Sequence, residues 1–145
     1  MRELPRKLTV EELAELFEGR TRLVERLAKT DDPLDVSPAM LAELPEDELV
    51  EALAAHPAIG AKDLSERSRL EQGPDADAEI ETELAYLNQV YEEKFGFRFV
   101  VFVNRRPKSE IVPILQERLA NTREEELRAA VGELVAIARD RWLTS

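Results

Sequence analysis

The chain has 145 residues, 43% of them hydrophobic, with no cysteine, one histidine, and 31 acidic against 20 basic residues, a formal net charge of −11. That length suits one domain able to bury roughly 70% of the surface its unfolded chain exposes, while the acidic excess repels phosphate backbones and anionic membranes, so neither nucleic acid nor a membrane is expected as a partner. The missing cysteines exclude disulfides, thiolate metal sites and cysteine nucleophiles; Met1 to Lys7 leads into an acidic amphipathic segment rather than an apolar signal core, and no apolar run approaches the ~20 residues that span a bilayer, so a soluble, cytoplasmic protein is expected.

Thr9-Val10-Glu11-Glu12 has the form of a capping box, in which threonine caps the helix start and the glutamate three residues on reaches back. Leu13, Leu16 and Phe17 continue at helical spacing, so a first helix is predicted, ending near Gly19. A second runs from about Thr21 to Lys29 with Leu23, Val24 and Leu27 on one face, until Thr30-Asp31-Asp32-Pro33 breaks it. Ser37-Pro38 opens a short helical turn. Pro45 followed by Glu46, Asp47 and Glu48 is a first-turn signature: proline lacks an amide that the helix start leaves unused, and acids suit the dipole. Leu49, Val50 and Leu53 carry that helix's apolar face up to His56-Pro57.

A short helix from Leu64 to Gln72, closed by Gly73-Pro74, is predicted next. Asp75 to Lys94 follows as a long helix carrying Ile80, Leu84, Leu87, Val90 and Tyr91, stopped by Gly96. Phe97 to Val103 is rich in β-branched and aromatic residues and reads as a short strand or a buried extended segment; with no partner strand in view, no sheet is expected. Pro107 to about Leu119 and Thr122 to Trp142 are two more helices, the second opened by Thr122 with Glu125. The prediction is an all-α protein: a single domain over residues 1–145, a compact bundle of seven or eight helices with one short buried extended segment.

His56 stands where proline stops a helix and Gly60 permits a turn, a suitable place for a general acid/base. The competing reading is a surface histidine whose cation meets the negative end of the helix dipole. Ser68, Glu71 and Gln72 share a helical face that presents a hydroxyl, a carboxylate and an amide to one ligand, or else a solvated polar face. Phe99 to Val103 is core by its side chains, yet its backbone, uncommitted to a helix, offers amides and carbonyls to a polar heterocycle. Arg139 and Arg141 read most simply as complements to a helix terminus, and the acidic first helix and Glu124-Glu125-Glu126 as solvated faces. Asp31-Asp32-Pro33-Leu34-Asp35 lacks the glycine and terminal glutamate of a calcium loop and is not read as a metal site.

Taken together, His56-Pro57-x-x-Gly60, Ser68-x-x-Glu71-Gln72, Leu87-Asn88-x-x-Tyr91-x-x-Lys94-Phe95-Gly96-Phe97-x-Phe99, Arg118-x-x-Asn121 and Arg141 form an order that resembles the OHCU decarboxylase family, from roughly Leu49 to Trp142. The resemblance implies an all-α fold, usually a homodimer, that removes carbon dioxide from the small molecule 2-oxo-4-hydroxy-4-carboxy-5-ureidoimidazoline (OHCU) to give (S)-allantoin in urate catabolism, with no cofactor and no metal. It implies that His56 is the catalytic histidine with Glu71 beside it in the catalytic set. By the same resemblance, Pro57 lines the pocket, Ser68, Glu71 and Gln72 bind substrate, Phe99, Val100, Val101, Phe102 and Val103 contact it through their backbone, and Arg141 closes the site. Many members carry a His-Ser-Pro-Trp motif where this chain has Gly19-Arg20-Thr21-Arg22.

The chemistry is consistent with a chain that has no cofactor fingerprint. Loss of carbon dioxide leaves an electron pair on carbon, and a ring carbon conjugated to a carbonyl and an imine nitrogen accepts it unaided. The protein must then orient the carboxylate, stabilise the charge and deliver a proton. Two other readings stand beside this one: a related cofactor-free enzyme acting on another small ureide or imidazolone, and a noncatalytic acidic helical module that binds a partner helix.

Overall fold

A computed structural model describes residues 3–56 and 78–144 of the chain. Among these residues there are seven helices and no strand: α1 (Val10–Phe17), α2 (Arg22–Ala28), α3 (Pro38–Ala42), α4 (Glu46–Ala55), α5 (Ala78–Phe95), α6 (Lys108–Arg118) and α7 (Arg123–Thr144). The predicted helix Leu64 to Gln72 and the Asp75 start of the long helix lie outside the described residues. No described helix is long and apolar enough to cross a membrane.

Local chemistry sets most boundaries where the sequence put them. The Thr9 hydroxyl accepts from the Glu12 amide at 3.1 Å while Glu12 accepts from the Thr9 amide at 3.1 Å, the reciprocal capping box. Thr21 and Ser37 cap α2 and α3 through their hydroxyls alone, which accept from the amides of Val24 and Met40 at 3.4 and 3.2 Å. Gly96 ends α5 with φ 80°, a left-handed conformation that costs glycine little. Pro113 lies inside α6 on its exposed face, where water can solvate the carbonyl that proline leaves without a helical partner.

The longest helix, α7, is the spine of the fold. Leu127, Ala130, Val131, Leu134, Val135, Ile137 and Ala138 recur at helical spacing and are buried. Against this helix pack α1, α3 and α4; α2 packs on both α1 and α4, and α5 packs on α6.

Phe97 to Val103 is neither helix nor strand, and it is buried apart from the partly exposed Arg98 and Phe102. Side chains hold it instead. Tyr91 meets Phe95, Phe99 and Phe97 with ring centroids 4.6, 5.1 and 6.0 Å apart. Arg118 Nη1 donates to the Val100 carbonyl at 2.8 Å, and Arg106 grips the carbonyls of Phe102 and Val103 at 2.6 and 2.9 Å. The segment then leaves through Asn104 and Arg105, both left-handed at φ 51° and 60°.

One expectation is corrected here. Glu126 is not on a solvated face but fully buried, at 0% exposure. Its carboxylate accepts from Tyr91 Oη at 2.6 Å, Arg118 Nε at 2.8 Å and Asn121 Nδ2 at 2.7 Å. Three donors, one of them charged, replace the water that a buried carboxylate gives up. Burial and the Glu126 hydrogen bond also push the Tyr91 phenol well above its ordinary pKa.

Candidate active site

His56 caps the C-terminus of α4, its amide donating to the Leu53 carbonyl at 3.2 Å. Its backbone is extended, φ −88° and ψ 136°, as the residue before a proline must be, so Pro57 in the sequence dictates how the chain leaves the helix. The side chain is buried, with 7% exposure for the residue, which removes the reading of His56 as a surface cation on a helix dipole.

The C-terminus of α1 meets that of α4. Gly19 lies where a Cβ would come within 3.0 Å of the Ala55 Cβ, so the two helix ends approach as closely as a hydrogen side chain allows. Glu18, left-handed at φ 59° and ψ 30°, is the C-cap of α1. Its carboxylate turns inward with 15% exposure, one oxygen 3.9 Å from His56 Nδ1 and the other 3.5 Å from Arg141 Nη2.

Arg141, in the last turns of α7, is 1% exposed and donates through Nη1 to the Leu16 carbonyl at 2.9 Å. It faces the end of α1 rather than complementing its own helix terminus, the role assigned instead by the simplest reading of the sequence. Arg139 behaves differently, donating to the Leu34 carbonyl at 2.9 Å and lying 3.2 Å from Asp35.

Arg98 brings the extended segment to the same place. Its guanidinium donates to the His56 carbonyl and, at 3.2 Å, to the Ala54 carbonyl, so the residue before Phe99 is tied to the end of α4. Phe99, Val100, Val101 and Val103 are buried and Phe102 is half-buried. Among the described residues neither the amide nor the carbonyl of Val101 has a hydrogen-bond partner, so the segment retains backbone groups not spent on a ladder.

The electrostatics of this corner decide the state of the imidazole. Burial, first, and the nearby Arg141, second, push the His56 pKa down to about 4; the Glu18 carboxylate opposes this and Arg98 adds to it. His56 is therefore neutral at neutral pH, able to take up a proton, and its buried Nδ1 makes no hydrogen bond.

Of the residues marked by the sequence, His56, Arg141 and the Phe99 end of the extended segment thus converge through Glu18 and Arg98. Pro57, Ser68, Glu71 and Gln72 lie outside the described residues. Sequence reasoning did not single out Glu18 or Arg98. Arg118 and Asn121 were noticed only as motif letters and Tyr91 also as part of a helix's apolar face, and the structure gives them the task of fixing the Val100 carbonyl through Glu126. Two surface hollows among the described residues, of about 470 and 480 Å³, are lined respectively by α2–α4 and by α3–α7 residues and include none of this corner.

Comparison with known proteins shows the family. The chain is 32% identical over 101 residues to the uric acid degradation bifunctional protein of Bacillus sp. (strain TB-90), covering 66% of this chain and 20% of that one. It is 31% identical over 99 residues to the 2-oxo-4-hydroxy-4-carboxy-5-ureidoimidazoline decarboxylase of Xenopus laevis, covering 61% of this chain and 56% of that one. The matches thus span a fifth and somewhat over half of these relatives' lengths. The crystal structure of an OHCU decarboxylase in the presence of (S)-allantoin shares the fold, with a TM-score of 0.70 at 22% identity over 92% of this chain and 96% of the other. A sequence model of OHCU decarboxylase matches residues 2–143, and the chain belongs to that family.

Proposed function

We propose that this protein decarboxylates OHCU to (S)-allantoin in urate breakdown, without a cofactor, using His56 as its acid/base. The observation that carries the reading is a buried imidazole, neutral at neutral pH, set between a buried arginine and an extended segment with unspent backbone groups. Neutral His56 accepts the proton of the substrate hydroxyl. The bond to the carboxylate carbon then breaks, carbon dioxide departs, and the electron pair left behind is delocalised over the ring carbonyl and imine. Proton return to one face of the ring sets the handedness of the product.

Arg141 supplies the pocket's buried positive charge and a fork suited to carboxylate or carbonyl oxygens. The backbone of Phe99, Val100, Val101, Phe102 and Val103 reads the ring's polar edge. Pro57 lines the pocket, and Ser68, Glu71 and Gln72 hold the ureido arm, Glu71 as an acceptor for its N–H groups. These roles and a homodimeric assembly follow the family resemblance, while a single domain over residues 1–145 and a cytoplasmic location follow the length and composition of the chain.

One observation favours a second reading, a related small ureide as substrate: the Gly19–Arg22 departure from the family motif begins against Ala55, the residue before His56. Both readings are tested by generating OHCU from urate enzymatically in the presence of the protein and following absorbance loss and the circular dichroism of the product. Accelerated decay to (S)-allantoin supports the first. Decay at the spontaneous rate to racemic product sinks it and directs the same assay to other ureides. Light scattering on the purified chain tests the dimer.

A further inference from the structure

The carboxylate of Glu18 reaches both buried ionisable groups of the candidate site, one oxygen toward each. Three features direct it there. The left-handed Glu18 ends α1, Gly19 lets that end press against Ala55, and Arg141 is anchored independently by the Leu16 carbonyl two residues earlier. A glutamate with 15% side-chain exposure in left-handed backbone is a costly placement that solvent does not explain. Among the described residues, the charged groups that act on His56 are Glu18 from α1, Arg141 from α7 and Arg98 from the extended segment, two positive and one negative.

We propose that Glu18 is a positioning residue for the reaction: its carboxylate lies between Arg141 and the Nδ1 side of His56, 3.9 Å from Nδ1 and beyond hydrogen-bond length, and its negative field favours the tautomer with Nδ1–H toward Glu18 and Nε2 as the base. This rests on His56 being the acid/base of the reading above. When Nε2 takes the substrate proton, the ring becomes a buried cation beside two arginines, and the Glu18 carboxylate offsets them. Glu18 touches no reacting atom and acts through the side chains of His56 and Arg141.

Because His56 is the only histidine, ¹⁵N-labelled histidine yields a single pair of imidazole nitrogen signals, and their shifts report the tautomer directly. In the wild type at neutral pH, Nδ1 is expected to carry the proton. In Glu18→Gln, an isosteric change, both tautomers are expected to be populated. The same variant is expected to lose roughly 10- to 100-fold in kcat, a fraction of the ~10²–10⁴ that a positioned acid/base contributes, with KM moving less than about threefold. Glu18→Asp, which retains the charge and suits left-handed backbone, is expected to recover part of the loss.

Unchanged nitrogen shifts together with unchanged kcat in Glu18→Gln, at an unaltered melting temperature, overturn the proposal and leave Glu18 as an anchor for Arg141 alone. Full kcat in His56→Asn overturns the parent reading. If the wild type is inert on OHCU, the parent reading fails by itself and the tautomer comparison still decides whether Glu18 orients the ring.

Discussion

Replacing Glu126 by alanine removes the acceptor shared by the buried Tyr91 and the half-buried Arg118 and Asn121, and the structure indicates what that costs. Arg118, 11% exposed in its side chain, loses its charge partner and already has Nη2 buried without a hydrogen bond. Tyr91 Oη and Asn121 Nδ2 lose their acceptors at 2.6 and 2.7 Å. Breaking a buried pair by deleting one partner costs about 3–5 kcal/mol, a large share of the ~5–15 kcal/mol that holds a domain folded. With a urea slope of about 2 kcal/mol per M, the unfolding midpoint should fall by about 2 M.

Tyr91→Phe deletes one donor and should cost only about 1 kcal/mol in the wild type. In the Glu126→Ala background it should cost nearly nothing, because its partner is already gone. The assay is urea unfolding followed by far-UV circular dichroism on all four proteins. A Glu126→Ala loss below about 1 kcal/mol at constant slope, or a Tyr91→Phe cost that is the same in both backgrounds, would refute the claim that this carboxylate is the hub of the network.

The His56 pKa, pushed down from 6.5 to about 4, makes stability pH-dependent with a definite sign. Between those values the unfolded chain holds a proton that the folded chain does not, so stability falls as the pH drops from about 6.5 to about 4, by roughly 3 kcal/mol from this group, and levels off below. His56→Gln should flatten that part of a stability-against-pH curve, and an unchanged slope would contradict burial of the neutral ring. Arg98→Met removes hydrogen bonds to the Ala54 and His56 carbonyls and one of the charges that depress the imidazole. It should lower stability by about 1.5–3 kcal/mol and raise the His56 pKa in an NMR titration; a pKa that falls would show that Arg98 does not face the ring. Gly19→Ala places a methyl 3.0 Å from the Ala55 Cβ and should destabilise by about 1–3 kcal/mol on thermal unfolding, whereas a neutral result would mean that α1 and α4 can separate freely.

Local signals account for what the sequence made legible. Thr9 with Glu12, Pro45 ahead of three acids and Gly96 after Phe95 each act within one turn of chain, so helix ends could be read from them. His56 was legible for the same reason, since Pro57 forces its exit. Glu126 and Glu18 were misjudged or missed because their partners are distant in sequence: Tyr91 lies 35 residues from Glu126, and His56 and Arg141 lie far along the chain from Glu18.

A signal for Glu126 did exist. It precedes Ala130 and Leu134 at steps of four and so falls on the buried stripe of α7, as Arg141 does four residues after Ile137. A charged residue on an apolar stripe is a buried polar group in search of partners, and that pattern outweighs the general rule that charges are solvated. Glu18 offers no such stripe, since its inward aim comes from a left-handed turn at a helix end.

The most direct test of the central claim is the optical handedness of allantoin formed from fresh OHCU by the wild type and by His56→Asn at equal concentration. An excess of (S)-allantoin formed faster than the spontaneous reaction by the wild type, with racemic product at the spontaneous rate from a folded His56→Asn, is the result this account requires. An (S) excess that survives in His56→Asn would contradict it, by showing that another group delivers the proton.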